Sequence, residues 1–233
     1  MRAYLLTAAM LLLAVSPGRA DLIVNGSFDS FIIAGGDANA GGFIRYFSPP
    51  ANTDITGWTI SGTASDGAPN NVDLVHTFFY SSFTGSVGSN SLDMEGAVGA
   101  SGVISQSFAT APGDIYTLSF EYANNPEPGS GSSGSMNVLV TGSTSLLNQK
   151  VTHSGSTFAD MNYQFFSKDF TADSTTTTLQ FEALTKTGFG IALDAVSVNH
   201  AAAPPPGVPE PGTMTLLGTV FAGLGFLRRL RKA

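Results

Sequence analysis

Between residues 21 and 200 the apolar positions recur with a period of two, not 3.6, and that alternation predicts strands. In Ile115 to Tyr122, the side chains of Tyr116, Leu118, Phe120 and Tyr122 fall on one face, and Thr117, Ser119 and Glu121 on the other. Met136, Val138 and Val140 repeat the pattern opposite Asn137 and Thr141. Gln164, Phe166, Lys168 and Phe170 alternate with Tyr163, Phe165 and Ser167. Thr176 to Ala183 sets Leu179, Phe181 and Ala183 on one side, and Ile191 to Val198 closes the set. Shorter runs at 22–24, 58–61, 72–75, 91–94 and 102–108 predict further strands. Turn-rich stretches such as Ala111-Pro112-Gly113-Asp114 separate them, and no stretch of this region keeps a helical period. Many short strands with turn signals between them predict an all-β domain, an antiparallel sandwich or barrel.

Two segments escape the pattern. Residues 124–135 (NNPEPGSGSSGS) hold nothing that a core would bury and are expected to form a mobile loop. Residues 201–207 (AAAPPPG) form an extended spacer, because consecutive prolines hold polyproline II. The chain ends are of another kind. Arg2, a short apolar run from Ala3 to Val15, and the small residues Gly18 and Ala20 around Arg19 predict a secretory signal peptide over 1–20.

Residues 208–233 start with Pro209-Glu210-Pro211-Gly212. An uncharged run over 213–227 follows, then a basic end over 228–232 that includes Arg228, Arg229, Arg231 and Lys232. An uncharged run followed by arginines reads as a stop-transfer segment with its basic end on the cytoplasmic side. As a helix, Met214 to Leu227 would be about 21 Å long at 1.5 Å per residue. That is short of the ~30 Å hydrocarbon core, which suits a temporary, cleavable anchor. The order of turn, apolar run and arginines resembles the PEP-CTERM sorting tail of Gram-negative bacterial surface proteins. The resemblance implies recognition at Pro209, Glu210, Pro211, Arg228 and Arg229 by an exosortase, a membrane-embedded cysteine transpeptidase. It also implies transient anchoring in the inner membrane, then delivery to the cell surface or extracellular matrix.

Composition narrows the functions open to the domain. With no cysteine, it has neither a disulfide framework nor a thiolate metal site nor a cysteine nucleophile. Residues 21–207 carry sixteen Asp and Glu against four Lys and Arg, a net charge near −12. That balance disfavours nucleic acid and anionic membranes as partners, and it is compatible with neutral glycans and divalent cations.

Several separated motifs stand in one order along the domain. They are Asn25-Gly26-Ser27-Phe28-Asp29, Gly57-Trp58, Asn71-Val72-Asp73-Leu74, Ser91-Leu92-Asp93-Met94-Glu95-Gly96, Gly102 to Phe108, Gly113 to Phe120 and Leu193 to Val198. The set resembles the choice-of-anchor C family and, more broadly, the galactose-binding-like jelly rolls of many carbohydrate-binding modules. The resemblance spans residues 22–199 and implies an antiparallel β-sandwich jelly roll. It also implies a structural calcium between the first and last strands, at the matching positions Asn25, Asp29 and Asp194. The chain departs from the family pattern in having Asp29 where Glu is usual and Ala195 where a second acid usually follows Asp194.

Sugar sites pair an aromatic platform with amides and carboxylates. Trp58, Asp73, His76 and Tyr80 are the candidates here, although a lone tryptophan in a sandwich is more often core than platform. Asp93 and Glu95 would share a face if both lay in one strand, and paired carboxylates serve glycoside hydrolysis. The reading preferred is that they edge a turn before Gly96 and stay solvated. Neither a zinc-ligand spacing nor a G-x-S-x-G elbow occurs. The expectation is therefore a secreted, non-enzymatic sandwich that binds extracellular polysaccharide. A structural or adhesive matrix protein without a defined ligand is the alternative, and a diverged hydrolase a remote third.

Overall fold

The structure is a computed structural model and describes residues 20–33, 36–39, 42–48, 50–60, 67, 70–76, 89–127 and 133–201. The signal peptide, the sorting tail, most of the proline spacer and Tyr80 lie outside the described residues. Among the described residues there are twelve strands and no helix. They are β1 (Gly36–Asn39), β2 (Phe43–Ser48), β3 (Thr59–Ile60), β4 (Asn70–His76), β5 (Asn90–Asp93) and β6 (Val103–Ala109), then β7 (Ile115–Asn124), β8 (Ser133–Thr141), β9 (Ser145–Ser154), β10 (Gln164–Thr171), β11 (Thr176–Ala183) and β12 (Ile191–His200).

These strands form two antiparallel sheets, β1-β2-β4-β5-β12-β7-β10 and β3-β6-β11-β8-β9. The all-β sandwich read from the alternation is present. One core fills the space between the sheets, with Tyr46, Val72, Leu74, Leu92, Leu118, Phe120 and Leu193 from the larger sheet. Ile60, Ile104, Val138, Leu179 and Phe181 contribute from the smaller one. Phe120 stacks on Phe166 at 4.5 Å and meets Phe181 edge-on at 5.2 Å, the geometries that aromatic quadrupoles favour. Burying each such side chain stabilises the fold by about 1.5–3 kcal/mol.

Three strands escape the sequence pattern. β2 carries Phe43 and Phe47 on the face opposite the buried Ile44 and Tyr46, so its alternation is masked. Tyr46 is core, and its hydroxyl donates to the Ile32 carbonyl at 3.0 Å. Burial first, then the charge of Asp54, pushes that phenol up to about 12. β9 is a polar edge strand that buries only Val151 and His153. β1 is a short edge strand of small and polar residues, GDAN. Conversely, residues 22–24 form no regular strand but run beside β12. There the Leu22 N–H donates to the Val198 carbonyl at 2.9 Å, and the Val196 N–H to the Gly26 carbonyl at 3.0 Å. Gly26 is required at this contact, since a Cβ would run into the Val196 carbonyl.

The expectation for 124–135 needs correction. Asn124 ends β7, Asn125 follows it, both are buried, and Ser133 to Ser135 open β8. His153 explains the burial of Asn124. Its Nδ1 lies 3.0 Å from the Asn124 nitrogen and 2.9 Å from Asn124 Oδ1, while Nε2 lies 2.8 Å from the Asn162 carbonyl.

Candidate functional site

The outer face of the seven-stranded sheet carries the chemistry. Register sets Arg45 of β2 opposite Asp73 of β4, Asp73 opposite Asp93 of β5, and Asp93 opposite Ala192 of β12. Because alternate side chains share a face, this row points away from the core that Ile44, Leu74 and Leu92 fill. Arg45 grips Asp73 with two parallel bonds, Nε to Oδ1 at 2.8 Å and Nη2 to Oδ2 at 2.7 Å. The guanidinium also lies 5.3 Å from the centre of the Phe43 ring. Gly96 makes room for the pair, since a Cβ there would stand 2.6 Å from both Asp73 Oδ1 and Asn71 Oδ1.

Asp93 is 3 % exposed and accepts three N–H groups. Its Oδ1 takes those of Glu95 and Gly190, each at 3.0 Å, and its Oδ2 takes the Asn125 Nδ2 at 2.6 Å. Burial, then the charge of Asp73 across the ladder, holds its carboxyl well above the usual range, and the three donors offset this only in part. Glu95 is fully buried, takes the Thr187 N–H at 3.0 Å, and is likewise raised by burial. The expectation that Asp93 and Glu95 stay solvated is therefore corrected. The turn they edge is folded under the segment that carries Thr187 to Gly190.

These groups surround a pocket of about 280 Å³ lined by Phe43, Arg45, Asp73, Val75, Asp93, Asn125, Glu127, Gly188 and Phe189. Its two rings, Phe43 and Phe189, are half-buried. Asn125 is fixed by its bond to Asp93 and by accepting the Glu127 N–H at 2.8 Å. The next row over is closed instead. Met161 and Tyr163, ahead of β10, pack with Val75, Ala123 and Ala192. Asp194 and Glu121, opposite each other in register, are both buried there. Tyr163 and Glu121 are both raised, burial being the first cause for each.

The residues predicted from sequence meet different fates. Asp73 is in the pocket. Trp58 is not a platform: it is 1 % exposed and tilted against Phe28 at 5.5 Å. It is core, held by a 3.0 Å bond from its Nε1 to the Asn25 carbonyl. His76 ends β4 on the face opposite Asp73 and meets Phe31 edge-on at 6.0 Å.

Asn25, Asp29 and Asp194 have separate partners. The Asn25 side chain donates to the carbonyls of Ser30 and Thr56 and accepts the Ser30 N–H, closing a turn. Asp29 accepts from the Ser89 N–H and Asn90 Nδ2, and Asp194 from the Ala195 N–H. One side-chain oxygen of each residue thus serves a turn or loop. The two ends of the domain are joined by the backbone bonds of residues 22–26 to β12. The backbone does not favour the Ala195 departure. A β-bulge between Asp194 and Ser197 holds Ala195 at φ 52°, where Asp or Asn is more at ease than Ala.

Residues 21–199 match a family described as a protein of unknown function, DUF642, the stretch over which the ordered motifs run. The chain belongs to the DUF642 family. Residues 207–232, beyond the DUF642 domain, match the PEP-CTERM protein-sorting motif, which marks the chain for secretion by way of a membrane-anchored sorting signal. No curated protein matches. Among solved structures, the DUF642 chain is similar to a CBM4 module with 18% identity and TM-score 0.42, over 77% of this chain and 99% of that one. It is also similar to a family 16 carbohydrate-binding module with 17% identity and TM-score 0.41, over the same shares. A third is an arabinose-bound GH51 α-L-arabinofuranosidase, with 13% identity and TM-score 0.45, over 78% of this chain and 26% of that one.

Of the pocket residues, sequence reasoning found Asp73 and missed Arg45, Asn125, Glu127 and Phe189 as members. The available signal was Arg45 itself, one of only four basic residues in an acidic domain and the one set in an apolar run.

Proposed function

We propose that the protein is exported, cut after Ala20, processed by an exosortase at Pro209-Glu210-Pro211, and delivered to the cell surface or matrix, where its outer-face pocket binds extracellular polysaccharide. One observation carries the binding reading: two half-exposed rings flank a set of polar groups that are already fixed by each other and by the backbone. Sugars offer apolar C–H faces to rings and hydroxyls to carboxylates, amides and guanidinium. A pocket whose groups are locked before binding loses little entropy on meeting a ligand. The rigid sheet beneath supplies that order.

Titration of the purified protein with soluble polysaccharides tests this. Saturable binding that Phe189→Ala weakens by about tenfold or more, an energy of about 1.4 kcal/mol, supports the pocket. Binding that survives both Phe189→Ala and Phe43→Ala places the ligand elsewhere. For sorting, Glu210→Ala is expected to leave the domain folded and trap the protein unprocessed in the inner membrane.

The Asp73–Asp93 pair, one carboxyl raised, is the feature that favours a hydrolase. Against this, the two stand side by side on one face rather than across a cleft. Asp73 is tied to Arg45, and Asp93 has both oxygens occupied. Incubation with the glycan that binds is expected to release no new reducing ends.

A further inference from the structure

The pocket's walls are short of positive charge and of hydrogen-bond donors. It is lined by three carboxyl groups, Asp73, Asp93 and Glu127, and one cation, Arg45. Arg45 does not offset the excess, because its Nε and Nη2 edge is already turned to Asp73. That is the edge a guanidinium would present side-on to a ligand carboxylate or sulfate. The amide of Asn125 gives one of its two N–H groups to Asp93. Nearby, Asn71 Oδ1 is a further buried acceptor without a hydrogen-bond partner. Acceptors are in surplus.

An incoming group made only of acceptors, such as a uronate or a sulfate ester, would meet like charge in a partly desolvated site, where juxtaposed like charges are costly. Hydroxyls and amines bring the donors that the walls lack. Resting on the glycan reading above, we infer that the pocket selects sugars that carry no acid group. It takes neutral or amine-bearing units and excludes uronic and sulfated ones. Glu127, a partly exposed member of the lining, is the carboxylate that discriminates between the two permitted kinds.

The test uses three probes on the purified protein at low salt: a neutral β-glucan, a polyglucosamine and polygalacturonate. Expected is binding of the glucan and the polyglucosamine, each at least about tenfold tighter than polygalacturonate. Phe189→Ala should weaken both. Glu127→Gln should narrow the preference for polyglucosamine over glucan, because removing one charge from a partly exposed site alters mainly the cationic ligand. Polyglucosamine binding that Phe189→Ala leaves unchanged is attraction to the acidic surface at large and overturns the assignment. Polygalacturonate binding as tight as the glucan and lost with Phe189→Ala overturns the selection while leaving a glycan pocket. Failure of all three probes to bind removes the glycan reading and the selection with it.

Discussion

The two faces of the seven-stranded sheet are both closed to water along its central strands, yet opposite chemistry closes them. Facing the smaller sheet, Tyr46, Val72, Leu74, Leu92, Phe120 and Leu193 pack with no charge among them. Facing outward from the same strands, Asp73, Asp93, Glu121 and Asp194 are almost as deeply buried. Burial on the inner face follows from removing apolar surface from water, needs no fixed partner, and accounts for the fold. Burial on the outer face opposes the charged form of each acid, and is sustained by the Arg45 fork, three N–H groups on Asp93 and the cover given by Met161 and Tyr163. A sheet needs only its inner face to be stable. The outer arrangement therefore points to function.

The largest effect should come from the inner face. Trp58→Ala is expected to cost about 3–5 kcal/mol, read by denaturant unfolding, with no specific change in glycan affinity once folding is accounted for. A variant of normal stability that loses binding would restore Trp58 as a platform. Next comes Arg45→Ala, expected to cost about 1–3 kcal/mol by removing two donors from the buried Asp73 carboxylate. Most of that loss should return in the double variant Arg45→Ala/Asp73→Ala; strict additivity of the two single effects would mean that the pair is not coupled.

The outer face should then declare itself in pH dependence. Asp93, Glu95 and Glu121 all have raised carboxyls, so the folded state holds protons that the unfolded chain has released. The stability they contribute is fully present below the usual carboxylate range and is lost as pH rises through their folded values. Unfolding midpoints should therefore fall from mildly acid toward neutral pH, and Asp93→Asn should flatten the slope. A slope that rises over the same window would contradict the burial argument. Smallest is Ala195→Gly, which relieves a left-handed backbone and is expected to add about 1 kcal/mol.

Legibility divides along the same line. Strands that alternate apolar and polar residues, β7, β8, β10, β11 and β12, announce themselves because period two is imposed by one buried face. β2 does not, since Phe43 and Phe47 put apolar residues on its outer face too, and Phe43 lines the pocket. β9 does not, because an edge strand has little to bury. The pocket was legible only at Asp73. Arg45, Asp93, Asn125 and Glu127 converge through the registers of three strands and the end of β7, distances along the chain that no local pattern encodes. Trp58 illustrates the reverse error, in which a residue type suited to a ligand serves the fold. The sorting motif of the tail was readable, because its signal lies in linear order rather than in folding.

The most direct test of the account is an NMR titration of the isotopically labelled protein with a neutral oligosaccharide, following backbone amide and methyl shifts. The account predicts saturable perturbations centred on Phe43, Arg45, Val75, Asn125, Glu127, Gly188 and Phe189, with the outer face of β6, β11 and β8 silent. Perturbations that cluster on that second sheet, or none at any concentration from a protein that remains folded, would contradict it.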